Sequence, residues 1–350
     1  MGTISYKCPS CGAELRWDGR SESLTCDFCG SAFSPDDLIV ENQVIDSHAE
    51  AQGETHDEGS GLFSYTCPAC GAELVTDGTT AADKCPYCDN NVVHSDRVSG
   101  QFLPEFVIPF RVTKKDAENA FREHYRKKLL VPSKFKTESR ISEIKGVYVP
   151  FWLFSGSARG DVEFDAENTR TWTSGKYRIT ETDHYRLYRS GRMDYENVPF
   201  DGSSKADDTY MEAVEPFRYG DAAPFSPAYL SGFLADRYDV YHTEGAPRVR
   251  DRVENSLVSL IKGTITGYDS VSTSTKDIYV RQDEPKYAMM PVWMLSTVYK
   301  DKIYRFAMNG QTGKFVGEAP VSWPRFTAWL LGLTAAFSAV FTAIYYFISM

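Results

Sequence analysis

The chain has eight cysteines, and all of them fall into Cys-x2-Cys pairs. Cys8 and Cys11 are followed, after fourteen residues, by Cys26 and Cys29; Cys67 and Cys70 are followed, after the same gap, by Cys85 and Cys88. A two-residue spacing lets one tight turn present two thiolates to a single ion, and a hairpin between the pairs brings the second turn opposite the first. Four soft sulfur ligands in that arrangement suit tetrahedral Zn2+. The spacing therefore predicts two structural zinc ions, one per set, held by all eight cysteines. A four-thiolate site leaves no open position for water or substrate, so it holds a small module together and does not catalyse. Gly12, Gly30 and Gly71 each follow the second cysteine of a pair, where such a turn favours positive φ. Asp89 takes that place in the fourth pair, and Asp tolerates left-handed backbone better than most residues. Redox use of the pairs is the competing reading, but no thioredoxin-like βαβ pattern surrounds them. His94 lies beyond a set that already has four ligands and is expected at the surface.

Stepping outward, the two sets sit in an internal repeat. YKCPSCGAELRWDG and YTCPACGAELVTDG align without a gap, from Tyr6 and Tyr65 respectively. These segments define a first zinc ribbon over 1–41 and a second over 63–100. Residues 42–62 between them are acidic, small and polar, cannot bury enough apolar surface to fold, and read as a flexible linker.

From 101 the composition changes: cysteine disappears and aromatics become frequent. Thr113 and Asp116 form a capping-box pattern that opens a helix to about residue 130, with Ala117, Ala120, Phe121, Tyr125 and Leu129 on its apolar face. YVPFWLF (148–154) reads as a strand. Ser226 and Pro227 read as N-cap and first helical residue before AYLSGFLADRY. A further helix is predicted from about 247 to 262, stopped by Gly263. MMPVWML (289–295) echoes the first aromatic strand, Pro291 matching Pro150 and Trp293 matching Trp152. KIYRFAM and KFVGE around NGQTG read as a hairpin. The expectation for 101–320 is an α+β body, helices on mainly antiparallel sheet, with a loose internal duplication. Trp152, Trp172 and Trp293 are expected to pack in its core.

Residues 326–348 carry no charge. As a helix this run covers about 34 Å, enough to cross a hydrocarbon layer of roughly 30 Å. A transmembrane helix is predicted over 324–349, with Trp323, Trp329, Tyr345 and Tyr346 near the two interfaces. Arg325 and Lys314 precede it, which places the bulk of the chain on the cytoplasmic side of the cell membrane as a single-pass, tail-anchored protein. The N-terminus has no apolar signal region, in keeping with a reducing compartment for the thiols.

Charge narrows the function. Residues 1–100 carry five Lys/Arg and seventeen Asp/Glu, a net of −12, so the ribbons hold the acidic excess of a chain whose net charge is −10. Nucleic-acid binding, a common use of zinc ribbons, draws its affinity from cations on phosphates and is disfavoured here. No HExxH, GxSxG, Walker A or GxGxxG motif occurs. An enzyme with an unrecognised site in the body is the other alternative, without a motif behind it, and no enzymatic activity is expected.

The CPxCGAEL repeats, AYLSGFLADRYD at 228–239, MMPVWMLSTVYKDKIYRFAMNGQTGKFVGE at 289–318 and the terminal apolar run together resemble bacterial TFIIB-type zinc-ribbon membrane proteins of the YdjG type. The resemblance covers almost the whole chain, and Asp89 is its one clear departure. It implies an adaptor in a membrane-stress or membrane-maintenance assembly, with PspA-type and SPFH-type proteins as partners and the bilayer as anchor.

Overall fold

A computed structural model describes residues 3–4, 6–35, 37–38, 62–66, 73–77, 80–84, 91–94, 103–138, 143–300 and 302–349. The cysteine-rich region supplies short strands: β1 (Thr3–Ile4), β2 (Leu15–Asp18), β3 (Ser23–Cys26), β4 (Ala32–Phe33), β5 (Leu62–Thr66), β6 (Glu73–Asp77), β7 (Thr80–Lys84) and β8 (Asn91–His94). The body begins with β9 (Phe106–Val107), helices α1 (Lys114–Arg126) and α2 (Ser133–Glu138), then β10 (Lys145–Ser174) and β11 (Tyr177–Asp201). It continues with α3 (Asp208–Val214), β12 (Ala223–Pro224), β13 (Leu234–Asp236), α4 (His242–Lys262) and β14 (Ser270–Gln282). It closes with β15 (Lys286–Tyr299), β16 (Lys302–Asn309), β17 (Phe315–Gly317) and the apolar helix α5 (Trp323–Ser349). The result is a mainly sheet body with a few helices.

One 12-stranded sheet runs through the described residues, and β7 and β8 belong to it together with the body strands. At its centre the two aromatic strands lie side by side, antiparallel, with Tyr148 opposite Pro291 and Trp152 opposite Tyr287. Their surroundings match. The Pro150 carbonyl accepts from Gly202 N, and the Gly202 carbonyl from Asp239 N and Val240 N. In the same way the Pro291 carbonyl accepts from Gly310 N, and the Gly310 carbonyl from Arg111 N and Val112 N. Trp152 Nε1 donates to the Val240 carbonyl and Trp293 Nε1 to the Val112 carbonyl, both at 2.9 Å. Val240 and Val112 each stand just before a helix. In α4 Glu244 accepts from the Tyr241 amide, as Asp116 accepts from the Thr113 amide in α1, at 3.3 Å in both cases. Both indoles thus bury their rings and satisfy their one donor, the condition for placing Trp in a core.

Several sequence expectations are corrected. The strand expected at 148–154 continues to Ser174 and forms with β11 and β14 a long antiparallel arm. Gly156 and Gly160 lie within this longer strand. They are points of close approach: a Cβ at Gly160 would lie 2.4 Å from the Asp277 carbonyl oxygen. α4 covers the arm's root with Val249, Val253, Leu257 and Ile261, and a Cβ at Gly191 would meet Ile261 at 2.7 Å. Trp172 lies beyond that cover, near the arm's tip, and is 45% exposed, not in the core. His94 is fully buried, not at the surface, in β8, an inner strand of the sheet between β1 and β7. Ser226 caps only a short 3-10 turn, Pro227–Leu230, after which the chain turns at Gly232 (φ +90) into β13. α4 starts at His242, and Pro247 lies inside it. Of the expected 42–62 linker, residues 42–61 lie outside the described residues, and Leu62 begins β5.

Candidate metal centre

The first cysteine set is built by two matching turns. Cys8 N bonds Ala13 O, and Gly12 N bonds Cys8 O; Cys26 N bonds Ser31 O, and Gly30 N bonds Cys26 O. Gly12 and Gly30 have φ of +73° and +74°, the conformation in which a side chain is strained. β2 and β3 then pair with Leu15 opposite Cys26, carrying the second turn to the first. Leu15 and Leu24 are fully buried beneath the cluster.

The four sulfur atoms of Cys8, Cys11, Cys26 and Cys29 all lie within 4.8 Å of one another. Cys8 Sγ is 3.5 Å from Cys29 Sγ, and Cys11 Sγ is 3.5 Å from Cys26 Sγ. Sulfurs bound to one tetrahedral ion at about 2.3 Å would stand about 3.8 Å apart, so the cluster has the size and donor chemistry to hold a metal ion. Its thiols are unequal. Hydrogen bonds from the Ser31 hydroxyl and amide bring Cys29 down to about 6. Cys11 is pushed up to about 12: the Ala13 backbone contact that lowers it is outweighed by burial and by Cys26, Cys29 and Cys8. A cation at the centre would remove this competition by favouring four thiolates. Cys67, Cys70, Cys85 and Cys88 lie outside the described residues. Strands β5 and β6 of their segment pair antiparallel, Tyr65 opposite Leu74.

Contacts that spacing could not reveal fasten the first set to the body. Trp17 N bonds the Ser231 carbonyl, and Ser231 Oγ donates back to the Leu15 carbonyl. Trp17 Nε1 donates to the Phe110 carbonyl at 3.1 Å, and its ring meets Tyr229 edge-on at 4.7 Å. Arg20 Nη2 donates to both carboxylate oxygens of Asp116, at 2.7 and 2.9 Å. Glu14 accepts from Asn91 N in β8. Gly19 sits directly on the Phe110 carbonyl, where a Cβ would approach to 2.1 Å. Of these residues Asp116 reads as half of a capping box, and nothing in the sequence marks any of them as joining the module to the body.

At the other end, α5 is 27 residues long, and its apolar stretch Trp323–Phe347 is entirely unburied. It is long and apolar enough to cross a membrane. Its start is tied to the body: Ser322 N bonds the Leu130 carbonyl, and the Arg325 guanidinium donates to the Val131 carbonyl at 2.7 Å.

The chain is 37% identical over 330 residues to the uncharacterized protein YdjG of Bacillus subtilis strain 168, a match spanning 94% of each chain. The chain belongs to the YdjG family. No protein-family model and no solved structure matches it. The YdjG-family pattern here thus comprises a cysteine cluster able to hold a metal, a sheet body and one apolar helix, and the relative's name adds no activity to them.

Proposed function

We propose that the chain is a membrane-anchored adaptor: α5 crosses the cell membrane, two zinc ribbons and the body face the cytoplasm, and the cytoplasmic part docks protein partners at the bilayer. The observation that carries this reading is the direction of the sheet. α5 is fastened beside Val131, and Phe135 on the adjoining α2 packs against Tyr299 and Tyr304, at one end of β15. The arm leaves from the other end, where Leu153 pairs with Lys286. At about 3.3 Å per residue, the part of β10 beyond Phe154 extends on the order of 60 Å. The polypeptide therefore holds a long exposed structure away from its anchor, an arrangement suited to bridging.

In this reading Cys8, Cys11, Cys26 and Cys29 hold one zinc ion and Cys67, Cys70, Cys85 and Cys88 a second, both structural. A closed thiolate site supplies fold, not reaction chemistry. The first ribbon works from a fixed place on the body, since Trp17 and Arg20 bind it there. The partners are the PspA-type and SPFH-type proteins that the resemblance implies, in an envelope-stress or membrane-maintenance complex. In cells, a chain lacking 323–350 is expected to carry a labelled PspA-type partner into the cytosol. A partner that stays at the membrane to the same extent without the anchor would refute the adaptor role.

A further inference from the structure

One difference between the two matching halves of the body opens a cavity. Beside Trp152 the cross-strand neighbour is Tyr287, whose ring lies 5.4 Å from the indole, with Tyr238 closing the other side at 4.7 Å. Beside Trp293, Phe110 takes the role of Tyr238, with its ring at 5.1 Å, but the cross-strand neighbour is Gly146. Phe233 occupies part of the vacated space, stacked on Phe110 at 4.1 Å and 6°. What remains is a cleft of about 540 Å³ between this face of the body and the first cysteine module, which supplies Trp17 to its wall.

The lining combines flat apolar walls with positive charge. The half-buried Phe233 is the open aromatic surface, backed by the buried Trp17, Phe110 and Trp293, and Lys114 and Lys145 stand exposed at the rim. Among the described residues neither lysine is within ion-pair distance of a carboxylate. The third cation of the lining, Arg16, pairs with Asp27 at 3.5 Å. Of the two carboxylates on the lining, Asp83 is half-buried, and Asp18 is turned onto its own loop, accepting from Ser21 Oγ at 2.8 Å. A cleft of several hundred Å³ with apolar walls and a few placed charges is the usual form of a small-ligand site.

We propose that this cleft binds a small anion with a planar ring body, of about the size of a mononucleotide, its ring against Phe233 and its negative group at Lys114 and Lys145. The ring gains apolar contact with the exposed part of Phe233, and the anion meets two unpaired ammonium groups at the protein–water boundary. Because the cleft is closed on one side by the cysteine module, an occupant would also bridge that module to the body.

The test uses the full chain in a neutral detergent, with N-methylanthraniloyl-AMP as the probe and its uncharged nucleoside, N-methylanthraniloyl-adenosine, as the control. Fluorescence anisotropy is expected to show saturable binding of the nucleotide at one site per chain. The double variant Lys114→Glu/Lys145→Glu, with an unchanged Tm as its fold check, should weaken the nucleotide by at least about tenfold, as expected for reversing two surface charges at the binding group. The same variant should change the nucleoside's affinity by less than about twofold, since no charge is lost. Nucleotide affinity indifferent to the charge reversal, an equal loss for the nucleoside, or no saturable nucleotide binding up to about 1 mM, the weak limit of a useful site, would overturn the proposal.

Discussion

Trp17→Ala should separate the cysteine module from the body without emptying the cluster. The side chain is 7% exposed, and it faces outward from the module onto Tyr229 and the Phe110 carbonyl. Truncating a buried Trp to Ala costs about 3–5 kcal/mol, and a lost indole hydrogen bond to a buried carbonyl falls within that range. Ser231 Oγ to the Leu15 carbonyl and Arg20 to Asp116 survive the change, so the lower end applies. At about 1.4 kcal/mol per tenfold, opening of the docked face then becomes roughly a hundredfold more frequent. Amide hydrogen exchange reads this at two neighbouring positions. The amide of residue 17 bonds the Ser231 carbonyl across the contact, whereas the Leu15 amide bonds the Tyr6 carbonyl inside the module. After correction for intrinsic rates, the first should exchange about a hundredfold faster and the second should be nearly unchanged, with the metal retained. Equal acceleration at both amides together with metal loss would show that module and body fold as one unit. No acceleration at either would show that Trp17 does not carry the contact.

Further outcomes are expected. Metal analysis of the purified chain should find two zinc ions, and Cys67→Ser with Cys70→Ser should remove one of them while the Cys8 set keeps the other. Thr113→Ala deletes the oxygen that accepts from Asp116 N and the 2.6 Å bond to its carboxylate, and denaturant titration should show a loss of about 1 kcal/mol. Burial, with Asp208 alongside, pushes Asp201 up to about 7, so the folded chain holds that proton more tightly than the unfolded one. The stability linked to this group is present at low pH and is lost as pH rises through about 7. Asp201→Asn, which copies Asn309 in the matching half, should therefore raise Tm at about pH 8 and flatten its pH dependence below that; an unchanged profile would refute the assignment.

What was legible in the sequence was local. The capping box at Thr113 and Asp116, the hairpin around NGQTG and the uncharged run of α5 are each contained in a short window, and each formed where expected. The Cys8–Cys29 set was legible because ligand spacing writes the turn geometry directly into the chain. Features made by distant partners were not legible. The length of β10 depends on β11 and β14 accompanying it, and its glycines, which locally suggest a stop, are the residues that allow the third strand to approach. His94 is buried in a strand that pairs with β1, Thr3 opposite His94, a pairing that no short window contains. α4 begins where Glu244 reaches back to Tyr241, one turn ahead of the proline that marked the expected start. The resemblance between YVPFWLF and MMPVWML carried more than its few matches showed. Both strands support the same set of carbonyl, glycine and indole contacts, as an internal duplication would leave them.

The cleft beside Gly146 was invisible for the same reason: it arises from a difference between two halves that only the sheet register aligns. The seat of the cysteine module was also out of reach, since Ser231 and Phe110 are far from Trp17 in the chain.

The adaptor role itself is tested most directly by purifying the tagged full chain from native membranes under mild detergent and identifying what co-elutes by mass spectrometry. The proposed function predicts near-stoichiometric PspA-type and SPFH-type proteins with the intact chain, and the same proteins recovered from the soluble fraction when residues 323–350 are deleted. An intact chain that elutes alone from membranes rich in those proteins would contradict it.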